Sequence, residues 1–281
     1  MKTSYEPLNY KDYLLKTKFY EVLDFDKEQV SQLQIEKTVD HIRKPDATNF
    51  TPYPIEWDDL IRLHYIVTTR KVTNILEFGL GKSTFVFDHA LNQNHAKYFN
   101  FVSKNLRREN PFTCDTIDDD KKWFSQISRN PYTTKVNFHF SATVTSTFND
   151  RICTFYEKLP NVCPDLIYID GPDQFSPKGQ VRGISTRKSD RLPMSADILA
   201  IEHFLLPGTL VVVDGRTANA RFIKANLQRN WSYIYDEQCD QHYFELLESP
   251  LGIYNEAQIN FCLGEQYYNR LSQYEGSKNG C

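Results

Sequence analysis

The chain has 281 residues, 40% hydrophobic and 25% charged, which is ample material for one large α/β domain and unlike a disordered chain. Lys and Arg number 33 against 36 Asp and Glu, so no global basic field holds nucleic acid or an anionic membrane, and any polyanion site must be local. No apolar run approaches the roughly 20 residues that span a bilayer, and the opening Met-Lys-Thr-Ser-Tyr-Glu-Pro lacks the apolar core of a secretion signal. A cytoplasmic protein is expected.

Residues 1–55 are polar, with a short helix expected around Asp26 to Ile42 and a Pro-containing stretch from Lys44 to Pro54. They read as an N-terminal extension, open to being a lid, an oligomer arm or a loose arm, and a homodimer is among the expected partners. From Trp57 the apolar spacing of Trp57, Leu60, Ile61, Leu63, Ile66 and Val67 predicts a packed helix. The run from Val72 to Phe78 then reads as a strand ending in the glycine turn Gly79-Leu-Gly81. Alternation continues through a helix at Ser83–Leu91, a strand at Phe112–Ile117, a helix at Lys121–Ser128 and a strand at Val136–Phe140. Further strands are expected at Asp165–Asp170 and Thr209–Asp214, separated by a helix at Ser195–Leu205. A helix at Asn219–Asn230 and two short strands, Ser232–Tyr235 and His242–Leu247, complete the pattern. Strands alternating with helices, several continuous in Ile, Leu and Val, predict an α/β fold with a doubly wound, mostly parallel sheet of about seven strands, covered on both faces. The core is expected over 56–249, with 250–281 as a C-terminal tail.

The six cysteines (Cys114, Cys153, Cys163, Cys239, Cys262 and Cys281) form no C-x-x-C pair, and the seven histidines form no H-E-x-x-H. Reduced thiols and ordinary histidines are the expectation, rather than a disulfide framework or a zinc site.

Glycines at a strand-to-helix turn let backbone N–H groups approach a ligand. Gly81-Lys82-Ser83 supplies the ending of a triphosphate-binding loop, but that loop requires glycine five residues earlier, where Leu76 stands. A dinucleotide fingerprint would place its third glycine at Thr84. The run Leu76-Glu77-Phe78-Gly79-Leu80-Gly81-Lys82-Ser83-Thr84 instead resembles the turn after the first strand of class I S-adenosylmethionine-dependent methyltransferases. The resemblance implies S-adenosylmethionine as cofactor, with Glu77, Gly79, Gly81, Ser83 and Thr84 around it. It extends to Asp118 in Ile117-Asp-Asp-Asp120 as the ribose ligand, and to Asp165-Leu-Ile-Tyr-Ile-Asp170-Gly-Pro172 and Leu206-Pro-Gly208-Thr-Leu-Val-Val-Val-Asp214 as later strands of the fold. It implies an antiparallel last strand and cofactor contact by Asp170.

Glu77 and Asp118 are 41 residues apart, whereas a compact βαβ step places such an acid about 20 residues on. Either residues 92–111 are an insertion, or Lys97–Val102 is the second strand and the stretch 100–105 lies nearer the ribose. One of the three adjacent aspartates is expected to cap a helix.

Methyl transfer to a hydroxyl needs a base for the departing proton. Asp170 and Asp214, at strand carboxyl ends, are the candidates, Asp170 first; it could equally cap the Gly171-Pro172 turn. The same pair could hold a divalent cation, but Gly215 stands where catechol-type relatives carry Asn, and Arg216 follows. A cation beside a metal is unfavourable, so no metal is expected. Lys178, Arg182, Arg187, Lys188 and Arg191 fall within fourteen residues with Asp190 the only acid. Such a run is either a solvated face or a grip on acceptor phosphate or carboxylate, with Arg182, Arg187, Lys188 and Arg216 as substrate-binding candidates. The expected activity is O-methylation of a small-molecule, saccharide or phosphorylated acceptor, with nucleic acid and membrane not expected as partners. The competing expectations are a non-catalytic module of the same shape and a phosphotransferase.

Overall fold

Among residues 5–35, 54–128 and 133–279, which this computed structural model describes, nine strands form a seven-stranded sheet and a separate hairpin. The main sheet contains β1 (Asn74–Phe78), β2 (Thr113–Asp118), β3 (Val136–Phe140), β6 (Leu166–Ile169), β7 (Leu210–Asp214), β8 (Trp231–Asp236) and β9 (Gln241–Leu246). Their spatial order is β3-β2-β1-β6-β7-β9-β8. The first five are parallel neighbours, and β9 runs antiparallel to both β7 and β8. This is the doubly wound, class I methyltransferase-like sheet with an antiparallel closing strand. Its order reverses between β1 and β6, so the carboxyl ends of β1, β2 and β6 open at the switch point, where such sheets place ligands.

The continuous apolar strands are explained by two cores. Ile75, Leu166, Tyr168, Leu210 and Val212 pack toward α3 (Trp57–Thr69) and the first third of α4 (Lys82–Asn105). Their neighbours Leu76, Ile167, Ile169, Val211 and Val213 face the opposite layer, with Leu199 of α6 (Asp197–Ile201) and Ile223 of α7 (Thr217–Asn226). Alternate residues thus enter different cores, and a strand buried on both faces has no polar position to spare.

Helix α4 is 24 residues long and contains residues 97–102, so the second strand is Thr113–Asp118. Most of the expected insertion at 92–111 is the outer half of this helix, which runs to Asn105. The distal half of α4 is anchored by Val102, which shares a small cluster with Leu106, Phe112 and Phe261 of α8 (Ile253–Cys262). Its sequence, Asn92-Gln-Asn-His-Ala-Lys, carries too narrow an apolar stripe to be read as a helix from periodicity alone.

The N-terminal segment consists of α1 (Tyr10–Thr17), a 3₁₀ turn (Phe19–Leu23) and α2 (Lys27–Gln32). Leu14, Phe19, Tyr20 and Val30 are buried in the core with α3 and α4. Tyr13 Oη lies 2.8 Å from His64 Nδ1 and 2.9 Å from Thr68 Oγ1. Of the helix expected at Asp26–Ile42, residues beyond 35 lie outside the described residues, as does most of the Lys44–Pro54 stretch. Asp26 is the N-cap of α2 and forms a reciprocal capping box with Gln29.

The hairpin β4 (Thr143–Phe148) and β5 (Arg151–Tyr156) lies apart from the main sheet and sends Cys153 and Tyr156 into its second core. Its two-residue turn places Asn149 and Asp150 at φ of 46° and 61°, the doubly left-handed geometry that suits the twist of a tight hairpin. At the other end, α9 (Glu265–Asn279) is tied to β9 by a two-bond fork, Arg270 Nε and Nη2 each 2.7 Å from the Glu245 carboxylate.

The turns after β1 and β6 touch backbone to backbone. Gly79 has φ of +97°, and a Cβ there would stand 2.7 Å from Gly171 N; a Cβ on Gly171 would stand 2.6 Å from Gly79 N. Overpacking at both positions, with backbone strain added at Gly79, leads us to expect Gly79→Ala and Gly171→Ala each to cost about 2–4 kcal/mol of stability. The test is denaturant unfolding, and a Gly81→Ala control, whose Cβ meets only Ser83 Oγ at 3.7 Å, should cost far less.

Candidate functional site

The first three N–H groups of the turn between β1 and α4 are bonded within the protein, two of them to the end of β2. Gly79 N donates to Ile117 O (2.9 Å), Leu80 N to Asp118 Oδ2 (2.8 Å) and Gly81 N to Thr84 Oγ1 (3.1 Å). A phosphate cradle needs these donors free. Ser83 Oγ, the hydroxyl that a triphosphate loop offers to magnesium, donates instead to Glu77 Oε1 at 2.5 Å, and Thr84 Oγ1 donates to Glu77 Oε2 at 2.7 Å. Glu77 is fully buried, and that burial pushes its carboxyl up to about 7 against the opposing hydroxyl bonds.

Asp118 closes β2 and links two turns, accepting from Leu80 N and from Asp120 N (2.7 Å). It is 8% exposed, and desolvation raises its pKa. Each of its oxygens accepts one of these bonds, so the carboxylate keeps lone pairs for a further donor. Asp119 accepts from Thr143 Oγ1 of β4, and burial, reinforced by Asp118 and Asp173, pushes it up to about 6. Asp120 is the helix cap of the trio, accepting from Trp123 N (2.8 Å) at the start of α5 (Lys121–Ile127). The Trp123 indole donates to Leu80 O, binding α5 to the glycine turn.

Beyond β6, Asp170 has a half-exposed side chain, and its neighbour Gly171 is joined to Pro172 by a cis peptide bond. Arg216, just past β7, reaches back across this turn. Its guanidinium donates to Asp170 O and Pro172 O, and Nε stands 3.5 Å from Asp170 Oδ1. Desolvation raises the Asp170 pKa while Arg216 opposes the shift. Asp214, at the end of β7, accepts from Tyr168 Oη (2.8 Å) and Gln241 Nε2 (3.0 Å). Burial, with Asp170 adding to it, pushes Asp214 up to about 6. Gln241 is held in turn by the buried Arg62, which is ion-paired to Asp58 and Asp59 on its own helix α3.

These turns line an open cleft of about 130 Å³ whose walls include Gly79, Leu80, Trp123, Asp170, Gly171, Pro172 and Arg216. Five carboxylates, Asp118, Asp119, Asp120, Asp170 and Asp173, face one guanidinium there. Gly81, Ser83, Thr84, Glu77 and Asp214 are not among the lining residues. Arg182, Arg187 and Lys188 are exposed on the segment between β6 and α6, outside the lining. Sequence reasoning did not single out Trp123, Asp119 or Asp173. Trp123 stands in the first turn of α5, three residues after its cap Asp120, and only its indole bond to Leu80 O marks it as part of the site.

No protein-family model matches the chain, and no curated protein matches it in sequence. Among solved structures, the chain is similar to the O-methyltransferase TomG from Streptomyces achromogenes, involved in tomaymycin synthesis and solved in complex with SAM. The identity is 12%, the TM-score 0.35, and the match covers 85% of this chain and 90% of that one.

The raised Glu77 pKa fixes the sign of a pH effect. Between about 4.5 and about 7 the folded chain holds a proton that the unfolded chain has lost, so this group's contribution to stability declines as pH rises through the window. Glu77→Gln cannot ionise. Its stability relative to wild type should therefore improve as pH rises across the window, as read from parallel denaturant titrations; a gap independent of pH would contradict the assignment.

Proposed function

We propose that the chain is an S-adenosylmethionine-dependent methyltransferase that acts at oxygen on a small, sugar-like acceptor. The observation that carries this reading is the carboxylate-lined cleft at the switch point of the β3-β2-β1-β6-β7-β9-β8 sheet. A triphosphate would meet five carboxylates and a turn whose N–H groups are already bonded, and both features disfavour it. A cationic sulfonium nucleoside fits the same donor set, because carboxylates attract its charge and accept from its diol.

When bound, the cofactor supplies an electrophilic methyl group. Asp118 would hold the ribose hydroxyls on its remaining lone pairs, and its bonds to Leu80 N and Asp120 N keep the carboxylate from turning away. Gly79, pressed on Gly171, presents a backbone surface without side chains. Glu77 shapes the turn through Ser83 and Thr84. Asp170 takes the proton from the acceptor hydroxyl: its side chain is open to the cleft and its raised pKa brings it nearer to neutral pH, as a general base requires. Arg216 fixes the turn that carries Asp170. Asp214, expected as a second base, lies outside the cleft lining with both oxygens accepting bonds, and acts on Asp170 as an electrostatic neighbour. Alignment and exclusion of water supply the remaining rate enhancement.

Calorimetry with S-adenosylmethionine and its demethylated product tests the cofactor assignment. Asp118→Ala should weaken both by about 10–100-fold, the usual loss of hydrogen bonds to a charged acceptor, with thermal unfolding followed to confirm the fold. No binding by wild type would end the proposal. Asp170→Asn should keep binding and lower turnover by about 10²–10⁴-fold, measured on a panel of hydroxylated acceptors. Binding without turnover by wild type across the panel would favour a non-catalytic module.

A further inference from the structure

The cleft is lined by five carboxylates, yet the segment leaving its wall carries five cations against one acid. Residues 174–195 run from one position past the cleft residue Asp173 to the start of α6, and carry Lys178, Arg182, Arg187, Lys188 and Arg191 against Asp190. All five cations are exposed, and among the described residues no ion pair involves any of them. Six arginines elsewhere, Arg62, Arg70, Arg108, Arg216, Arg229 and Arg270, are ion-paired, whereas Arg107, Arg151 and Arg221 are in no ion pair among the described residues.

The segment is held in a defined path. Lys178 N donates to Thr143 O and Thr145 N to Lys178 O, both at 2.8 Å, which lays its start along β4. Thr154 N donates to Met194 O (2.8 Å) and Ala196 N to Thr154 O (3.0 Å), which fixes its end on β5. Between these anchors, Val181 and Ile184 exchange two 2.9 Å backbone bonds around Arg182 and Gly183, at φ of 53° and 81°. Glycine or asparagine suits the first central position of such a turn; here an arginine occupies it and is displayed at the tip. The return path bends tightly at Lys188 N to Thr186 O (2.7 Å), and Gln174 Nε2 donates to Lys188 O at 2.7 Å. Lys188 is therefore pinned beside the residue that follows the cleft wall. Thr186, 6% exposed, buries a hydroxyl that has no protein partner.

We infer that residues 178–191 form an oxyanion-binding strap beside the cleft, selecting acceptors that carry a phosphate or carboxylate away from the hydroxyl that reacts. The inference rests on the methyltransferase reading for the word acceptor, but the anion site stands on the strap's own geometry. Charge separation gives it direction: an anionic tail is repelled by the five cleft carboxylates and drawn to the strap, which leaves the neutral hydroxyl end facing Asp170. Guanidinium groups match phosphate and carboxylate with paired donors. RNA fits less well, because no aromatic residue is interleaved from Lys178 to Arg191 to stack on bases.

The test titrates inorganic pyrophosphate, succinate and an oligouridylate into the full chain at low salt, with S-adenosylhomocysteine titrated separately. Wild type should bind pyrophosphate or succinate saturably, the tighter of the two identifying the phosphate or carboxylate source. Arg182→Glu combined with Arg187→Glu should weaken that binding by at least about tenfold while leaving S-adenosylhomocysteine affinity unchanged. Arg182→Gln with Arg187→Gln serves if charge reversal unfolds the chain, and should weaken binding in the same direction. No saturable binding of either anion by wild type, or equal affinity in the variants, overturns the strap. So does an equal loss in Lys16→Glu with Lys104→Glu, a matched charge change elsewhere. Oligouridylate binding that tightens with length and is lost in the same variants overturns the small-acceptor assignment in favour of RNA. Loss of S-adenosylhomocysteine binding by every protein, with pyrophosphate retained by wild type, removes the methyltransferase reading and the acceptor role while leaving an anion site.

Discussion

Two glycines in contact set the geometry of the switch point. Gly79 and Gly171 stand so close that neither turn can carry a Cβ, and this brings the carboxyl ends of β1 and β6 together at a spacing no other residue type allows. Leu80 N then falls within reach of Asp118, and Asp170 N within reach of Phe78 O. The cleft is what remains between three turns spaced from that contact. The glycines are therefore needed by the protein itself, before any ligand is considered.

The second organising feature is the sorting of charge. Carboxylates gather at the strand ends, where burial raises the pKa values of Asp118, Asp119 and Asp170 and where one arginine is spent on backbone carbonyls. The strap's five cations, in no ion pair among the described residues, stand outside, along the β4–β5 hairpin. A chain with a formal charge of only −3 thus presents two local fields of opposite sign, and its overall charge conceals both.

Several polar residues near the cleft are committed to holding one another. Asp214 is oriented by Tyr168 and Gln241, Gln241 by Arg62, and Arg62 by Asp58 and Asp59. A buried ion pair of this kind contributes little net stability, but losing one partner leaves an uncompensated charge. The network connects α3 to the end of β7, so a change in the packing of that helix would be felt at the strand ends that line the cleft.

Strand identity and order of elements were legible in the sequence because a two-sided strand leaves a continuous apolar run, as in Leu166–Ile169 and Leu210–Asp214, and because glycine after such a run marks a turn. Asp118 and Asp170 were legible as strand-end acids for the same reason. The length of α4 was not, since its outer half is held by Phe112 and Phe261 from distant parts of the chain. Nor was the β4–β5 hairpin, whose Asn149-Asp150 turn lacks the usual glycine. Local pattern determined which segments become strands and which acids end them, because those choices depend on neighbours within a few residues. The partners of Glu77, Arg216 and Asp214, and the separation of the basic strap from the acidic cleft, were decided by tertiary structure, because hydrogen bonds and desolvation act between residues that only folding brings together.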